Sequence, residues 1–157
     1  MRVAIATSLV LVLAAGVVHA QAPATARRAA NPELKWGPAP PVFQPGAEMA
    51  VLQGNPGAAE IFTVRLRLPD GYKIAPHTHP FDEMVTVISG TLHLGLGPKA
   101  EASGMMTLRA GEFVTAPANQ PHYASAKGAV VLQVHAMGPF ELTHINPADK
   151  PKASTGR

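Results

Sequence analysis

Prolines and glycines interrupt this chain so often that a helical bundle is excluded. The 157 residues include 16 prolines and 14 glycines, and after residue 20 the longest stretch without either, Ala58 to Leu68, has only 11 residues. An amphipathic helix of ordinary length, about 10–14 residues, therefore has room in at most one place. The chain is predicted to fold from short strands joined by turns.

Alternating side chains mark the clearest strand. The segment Ile61–Leu68 reads IFTVRLRL, in which every second residue is apolar and two arginines fall between, so it is predicted to be a half-buried strand with its basic side chains outward. Similar patterns predict eight more strands: Glu48–Gln53, Glu83–Ser89, Thr91–Leu96, Met105–Leu108, Phe113–Ala116, His122–Ser125, Ala129–Met137 and Phe140–Ile145. Nine short strands without crossover helices favour an all-β sandwich or barrel.

The first 20 residues have the pattern of a secretory signal peptide. A basic start at Arg2 is followed by an uncharged run, and the small residues Val18 and Ala20 occupy the −3 and −1 positions of a cut after residue 20. The alternative is a membrane anchor, but the run is shorter than the roughly 20 apolar residues that span a bilayer. We expect an exported protein, periplasmic or secreted, without membrane association after cleavage.

The remaining chain has the size of one domain. Residues 21–31 lack bulky apolar side chains and are predicted to form a disordered linker, residues 32–147 a single domain, and residues 148–157 a flexible polar tail. The proline-rich arm from residue 32 to 43 carries Trp36 and Phe43, whose exposure to water would be costly. It is expected to cover either its own barrel or that of a second copy, so a homodimer is predicted.

Composition excludes several functions. A net charge of +3 without a basic cluster argues against nucleic-acid binding. The absence of cysteine excludes thiol catalysis, disulfides, iron–sulfur clusters and cysteine-ligated zinc. Any chemistry must come from imidazole, carboxylate or a bound metal.

Histidines and a glutamate have the spacing of a metal site. His77 and His79 are two residues apart, which on a strand places both imidazoles on one face, about 6.5 to 7 Å apart. Glu83 is an even number of residues from both histidines, so its carboxylate can join them from the start of the next strand after a short bend. His122 follows a turn-rich stretch and could supply a fourth ligand. Each histidine taken alone is more simply interpreted as a polar strand residue whose hydrogen bonds are satisfied. The grouping of the histidines favours a shared metal.

At these residues the sequence resembles the cupins. The run Gly71-(5)-His77-(1)-His79-(3)-Glu83-(6)-Gly90 has every fixed residue and spacing of the first cupin motif.

The second cupin motif is imperfect. The run Gly111-(5)-Pro117-(1)-Asn119-(2)-His122-(3)-Ala126 has Asn119 where cupins usually carry glycine and Ala126 where they usually carry asparagine. Asparagine tolerates positive φ better than other residues with side chains, and the position of Ala126 is not that of a ligand.

The resemblance covers about residues 45–146 and implies a cupin double-stranded β-helix, or jelly-roll, barrel. It also implies that His77, His79, Glu83 and His122 bind one divalent transition metal ion, with manganese, iron, nickel, copper and zinc all open. Dioxygenases, oxidases and isomerases occur among cupins, so the resemblance favours a metal-dependent enzyme acting on a small polar substrate. The alternative is a module that binds a metal or small ligand without turnover.

Two polar residues near the end of the chain have two interpretations. Gln133 and His135 alternate with apolar residues in the segment Ala129–Met137. They either line the metal cavity and bind substrate, with His135 as a catalytic base, or lie on the outer face of the sheet in contact with water.

Overall fold

The structure, a computed structural model, describes residue 26, residues 28–30 and residues 33–151. In these residues the chain forms no α-helix and nine strands: β1 (Gly37–Pro38), β2 (Glu48–Gln53), β3 (Ile61–Leu68), β4 (Lys73–Thr78), β5 (Glu83–Leu96), β6 (Met106–Arg109), β7 (Phe113–Ala116), β8 (His122–Met137) and β9 (Thr143–His144). A 3-10 turn, Pro147–Asp149, follows β9. The predicted all-β class is confirmed.

Two long strands, β5 and β8, form the spine of the fold. They pair antiparallel along nearly their whole length, from Met84 opposite His135 to Leu96 opposite His122. The first half of β8 also pairs with β4, and its second half pairs with β3. The first half of β5 pairs with β7 and its second half with β6. Each half of the spine is therefore the centre of a separate group of strands.

The spine bends near its middle, where the register of β5 against β8 shifts between Val87 and Thr91. Gly90 lies at this bend with φ of 82°, and a Cβ there would clash with the carbonyl oxygen of Ala129. Because a side chain fits neither the backbone conformation nor the space, the last glycine of the first motif is required sterically. The curled sheet places two strand groups face to face, which confirms the predicted jelly roll.

Alternation along the strands separates an apolar interior from a mixed outer face. The core is filled by aliphatic and aromatic side chains from β3, β5 and β8, including Phe62, Val64, Leu66, Val85, Val87, Leu92, Leu94, Val130, Leu132 and Val134. The two arginines of β3, Arg65 and Arg67, lie on the opposite face from these core residues, as predicted. The apolar interior of the barrel is the environment in which the site lies.

Several strand predictions differ from the structure, the smallest difference being that the predicted strand Met105–Leu108 is β6, Met106–Arg109. The segments predicted on either side of Gly90 form one strand, β5, and those on either side of Gly128 form one strand, β8. The predicted strand Phe140–Ile145 is reduced to the two residues of β9. Sequence patterns missed β4, in which Pro76 obscures the alternation.

The arm before β2 packs against its own barrel. Phe43 is buried and stacks on Phe140, with ring centroids 6.2 Å apart, and Trp36 lies over the guanidinium of Arg67 at 4.1 Å. The hydroxyl of Tyr72 donates a hydrogen bond to the carbonyl of Gln44. Of the two predicted locations for the arm, the structure shows the one on its own barrel, and the homodimer stays a prediction.

The predicted signal peptide, residues 1–20, lies outside the described residues, as do most of the predicted linker and residues 152–157 of the predicted tail. The domain boundaries therefore stay predictions. None of the helical segments in the described part of the chain is long and apolar enough to cross a membrane.

Candidate metal centre

Three imidazoles meet inside the barrel. His77 lies near the end of β4, His79 follows that strand directly, and His122 begins β8 opposite His77 in the register. All three side chains are buried, and one ring nitrogen from each lies within 4.8 Å of the others. The group could therefore bind a metal ion.

Backbone carbonyls fix the orientation of all three rings. The Nδ1 atom of His77 lies 2.7 Å from the carbonyl oxygen of Ala75, that of His79 lies 2.5 Å from Glu141, and that of His122 lies 3.0 Å from Gln120. Since a carbonyl oxygen only accepts hydrogen bonds, each Nδ1 carries the hydrogen. Each neutral ring then has its lone pair on Nε2, as a histidine ligand requires.

The Nε2 atoms converge in a way that fits a cation. Those of His77 and His79 are 3.1 Å apart, although neither carries a hydrogen when both rings are neutral. The buried Nε2 of His122 has no hydrogen-bond partner within the described residues. Facing lone pairs and an unsatisfied buried nitrogen are unfavourable unless a cation lies among them. The donor set consequently fits a divalent transition ion.

Glu83, at the start of β5, adds a buried carboxylate to this group. Its Oε2 atom lies 3.5 Å from Nε2 of His122 and 3.7 Å from Nε2 of His79. Burial alone would raise the pKa of Glu83, but the adjacent His122 and the other imidazoles lower the pKa below its usual value. The carboxylate is thus held in the ionised form that coordinates metals.

The histidines differ in how readily they take up a proton. Burial, with the added repulsion of His122 and His79, lowers the pKa of His77 to about 3. Burial also disfavours a charge on His122, but the Glu83 carboxylate outweighs it and raises the pKa of His122. In the absence of a metal, a proton on this site is therefore carried by His122 beside the ionised Glu83, while His77 stays neutral near pH 7.

The turn before β8 positions the site through Asn119. This residue adopts φ of 60°, and its backbone N–H donates to the carbonyl oxygen of His79 at 2.8 Å. The neighbouring N–H of Ala118 donates to the carboxylate of Asp82 at 2.8 Å. Asparagine therefore supports the left-handed conformation at the position where the motif usually carries glycine, and the departure leaves the turn intact.

The space beside the imidazoles is small and apolar. The cavity that includes the four candidate ligands measures about 30 Å³. Apart from the four candidate ligands, its lining residues are apolar: Phe43, Leu66, Ile74, Val85, Leu92, Leu94, Ala124, Leu132, Val134, Phe140 and Leu142. The Phe140 ring stacks on His79, with centroids 5.1 Å apart and planes at 24°. This cavity holds one or two waters but no organic molecule.

Gln133 and His135 lie outside this cavity, on the outer face of β8, which corrects their interpretation as cavity residues. The Oγ1 of Thr63 lies 2.8 Å from Nδ1 of His135, and Nε2 of His135 lies 3.2 Å from the amide nitrogen of Gln133. Arg65 donates through Nε to Gln133 at 3.2 Å. These side chains face away because alternation along β8 sends the core residues Leu132 and Val134 inward.

Sequence reasoning missed the aromatic pair that closes the cavity. Phe43 and Phe140 are far apart in sequence, one in the arm and one after β8, and neither belongs to a motif. The carbonyl of Glu141, which orients His79, also has no signature, because every residue carries a carbonyl. The weak signal that was available is a large aromatic residue inside a proline-rich arm.

Comparison with known proteins agrees with this geometry. The family model described as "Cupin domain" matches residues 64–137, which contain all four candidate ligands. None of the curated proteins matches the sequence.

Solved structures with a similar fold are distant in sequence. The polyketide cyclase RemF from Streptomyces resistomycificus superposes with a TM-score of 0.66 at 17% identity, covering 81% of this chain and 90% of that one. A protein assigned as an acetylacetone dioxygenase from Methylibium petroleiphilum PM1 has a TM-score of 0.64 at 20% identity, covering 86% and 91%. An RmlC-like cupin from Shewanella frigidimarina has a TM-score of 0.57 at 16% identity, covering 72% and 91%. At these identities the likeness establishes the fold.

Proposed function

This chain belongs to the cupin superfamily, and on that premise we propose that it is an exported mononuclear metalloenzyme. Four side chains would hold one divalent transition ion: His77, His79, Glu83 and His122. Such an ion, when bound, supplies Lewis-acid or redox chemistry towards the oxygen atoms of a small molecule. Manganese, iron, nickel, copper and zinc all suit this donor set, and affinity for nitrogen-rich sites rises towards copper.

One observation carries the proposal: every imidazole is oriented from behind by a backbone carbonyl and points its Nε2 at a common centre. In a polar cluster that only stabilised the fold, each ring nitrogen would form a hydrogen bond within the cluster. Here the Nε2 of His122 has no such partner in the described part of the chain. The cost of burying these atoms is offset when an ion binds.

The chain's own residues also prepare the surroundings of the site. Glu83 supplies a negative charge that lowers the net charge of the centre, and its low pKa keeps that charge near neutral pH. Phe140 covers His79 and, with the aliphatic lining, excludes bulk water. Electrostatic interactions inside a dry cavity are stronger than in water.

The fold neighbours support an enzyme, since one is a polyketide cyclase and another is assigned as a dioxygenase. The expected small polar substrate meets no polar side chain in this cavity besides the four candidate ligands. We therefore propose a small-molecule substrate that binds the centre through its own oxygen atoms.

A binding module without turnover is the second candidate, favoured by the lack of a separate general base. Among the described residues that line the cavity, the titratable ones are the four candidate ligands themselves, and His135 lies on the outer face. Steady-state turnover of a panel of small carbonyl and hydroxy compounds by the metal-loaded protein supports the enzyme. Saturable binding without turnover supports the module.

Metal affinity tests the proposed ligand set directly. Glu83→Gln and His122→Ala are each expected to weaken metal binding about tenfold or more, while the β-sheet circular dichroism spectrum persists because the fold rests on its apolar strands. His135→Ala is the matched control and is expected to bind metal like the wild type. Wild-type affinity in both ligand variants contradicts the proposal. Metal analysis of protein from its native compartment identifies the ion and tests export.

A further inference from the structure

Three spaces surround the metal centre, and they differ greatly in size. The interior cavity described above measures about 30 Å³. A space of about 10 Å³ is lined by His79, Glu83 and Phe81, among others. A cleft of about 600 Å³ lies between the arm, β4, the β5–β6 loop and the 3-10 turn. Of these spaces, the cleft alone has the 300–1,000 Å³ typical of sites for organic molecules.

The cleft and the interior cavity share a wall. Phe43, Ile74 and Ala124 line both spaces. Ile74 and Ala124 are paired residues of β4 and β8, so sheet hydrogen bonds restrict their movement. Phe43 belongs to no strand. The wall therefore has one member that can move without breaking the sheet.

The loop that carries Phe43, residues 39–47, is closed at its base like a hinged flap. Its ends are joined by the hydrogen bond from the N–H of Ala39 to the carbonyl of Ala47, at 2.9 Å. Inside this closed loop Phe43 is held by a turn bond to Pro40 and by stacking on Phe140. Rotation of the Phe43 side chain would join the two spaces, while the bond at the loop base and the bonds of Gln44 to Tyr72 and Asp149 remain.

From this arrangement we infer that the cleft binds the organic substrate and that Phe43 is the gate through which the substrate's oxygen atoms reach the metal centre. The inference rests on the proposed function. The cleft lining combines apolar residues such as Val42 and Met105 with the phenol groups of Tyr72 and Tyr123. The charged residues that line the cleft are one basic residue, Lys73, and two acidic residues, Glu101 and Asp149. A molecule with a flat apolar body and a pair of metal-binding oxygens fits this chemistry.

The test uses the cobalt-loaded full chain and benzohydroxamate, which joins an apolar ring to a bidentate oxygen group. Binding is followed by the visible absorption of cobalt(II) in stopped flow. Phe43→Ala removes the gate and is expected to speed association about tenfold, since entry no longer waits for a conformational change. Acetohydroxamate, which lacks the ring, is expected to show a much smaller acceleration.

Phe81→Ala is the matched control because it makes the same change at the small space that also adjoins His79 and Glu83. Phe81 is 40% exposed, and its removal is expected to leave the rate within about twofold of the wild type. Acceleration by Phe81→Ala without acceleration by Phe43→Ala overturns the inference. Equal rates in all three proteins also overturn it.

Two further measurements separate the possible failures. Phe43→Leu keeps the core filled and is expected to give an intermediate rate, so the inference stays testable if Phe43→Ala does not fold. An unchanged rate in Phe43→Leu, when Phe43→Ala does not fold, overturns the gate. Failure of the wild type to take up cobalt(II) at all removes the proposed function and the gate together, whereas normal uptake with rates unaffected by Phe43 removes the gate alone.

Discussion

The two faces of the barrel wall use histidine in opposite ways. On the inner face, His77, His79 and His122 donate from Nδ1 to backbone carbonyls and leave Nε2 directed at one another. On the outer face, His135 contacts side chains through both nitrogens, Thr63 at one and Gln133 at the other. The comparison teaches that hydrogen-bond partners, more than burial or proximity in sequence, distinguish a candidate ligand from a structural histidine.

The faces also differ in what surrounds the polar groups. The inner histidines are buried among mainly apolar side chains in a small cavity, where a charge without a partner is costly. On the outer face, Gln133 and His135 are only partly buried, so their hydrogen bonds compete with water. A substitution should therefore have a larger effect on the inner face than the same substitution on the outer face.

The largest expected difference concerns two adjacent residues of β8. Leu132 is 3% exposed and belongs to the core, whereas Val131 lies half-buried on the outer face. Leu132→Ala is expected to lower the free energy of unfolding by about 3 kcal/mol, from lost burial and the cavity left behind. Val131→Ala should lower it by less than about 1 kcal/mol. Urea unfolding of both variants measures the difference, and equal losses would contradict the assignment of faces.

A second difference is expected in the pH dependence of the metal-free protein. The pKa of His77 is lowered from 6.5 to about 3, so between these values the unfolded chain binds a proton that the folded chain does not. This stability is fully present above pH 6.5 and is lost as the pH falls towards 3. From pH 7 to pH 5 the free energy of unfolding should fall by about 2 kcal/mol through His77.

The variant His77→Leu isolates this contribution, since the raised pKa of His122 acts in the opposite sense. Urea midpoints of His77→Leu should depend less on pH between 7 and 5 than those of the wild type. His135→Leu, the outer-face control, should keep the wild-type dependence. If His77→Leu is as sensitive to pH as the wild type, the buried neutral imidazole is not the cause.

Much of the site was predictable because it depends on local spacing. The first motif places His77 near the end of β4, His79 just after that strand and Glu83 at the start of β5, and these positions follow from alternation and one bend. β3, whose alternation is clear, has the predicted bounds, and so do the short strands β2 and β7. The turn-rich stretch before His122 indicated a possible fourth ligand, and the resemblance supported it, because no local pattern shows that β8 starts opposite β4.

The positions of Gln133 and His135 were left open because the sequence was divided at Gly128. If two separate strands are assumed, the face on which His122 lies does not determine the face of any residue after Gly128. The structure shows one strand from His122 to Met137, and an odd separation within it places Gln133 and His135 on the face opposite His122. Glycine at a bend of a long strand and glycine between two strands look the same in sequence.

The smallest predicted effect tests the outer face alone. Thr63 is buried, and its hydroxyl lies 2.8 Å from Nδ1 of His135. Thr63→Val keeps the shape and removes the hydrogen bond, so it should lower the free energy of unfolding by about 1 kcal/mol. Thr63→Ser, which restores the hydroxyl, is expected to recover part of that loss.

Metal affinity should stay at the wild-type value in both variants, because the wall of core side chains separates this bond from the inner histidines. A fall in metal affinity in Thr63→Val that Thr63→Ser reverses would show that the two faces are coupled through β3 and β8, and would remove the distinction between a ligand face and a structural face.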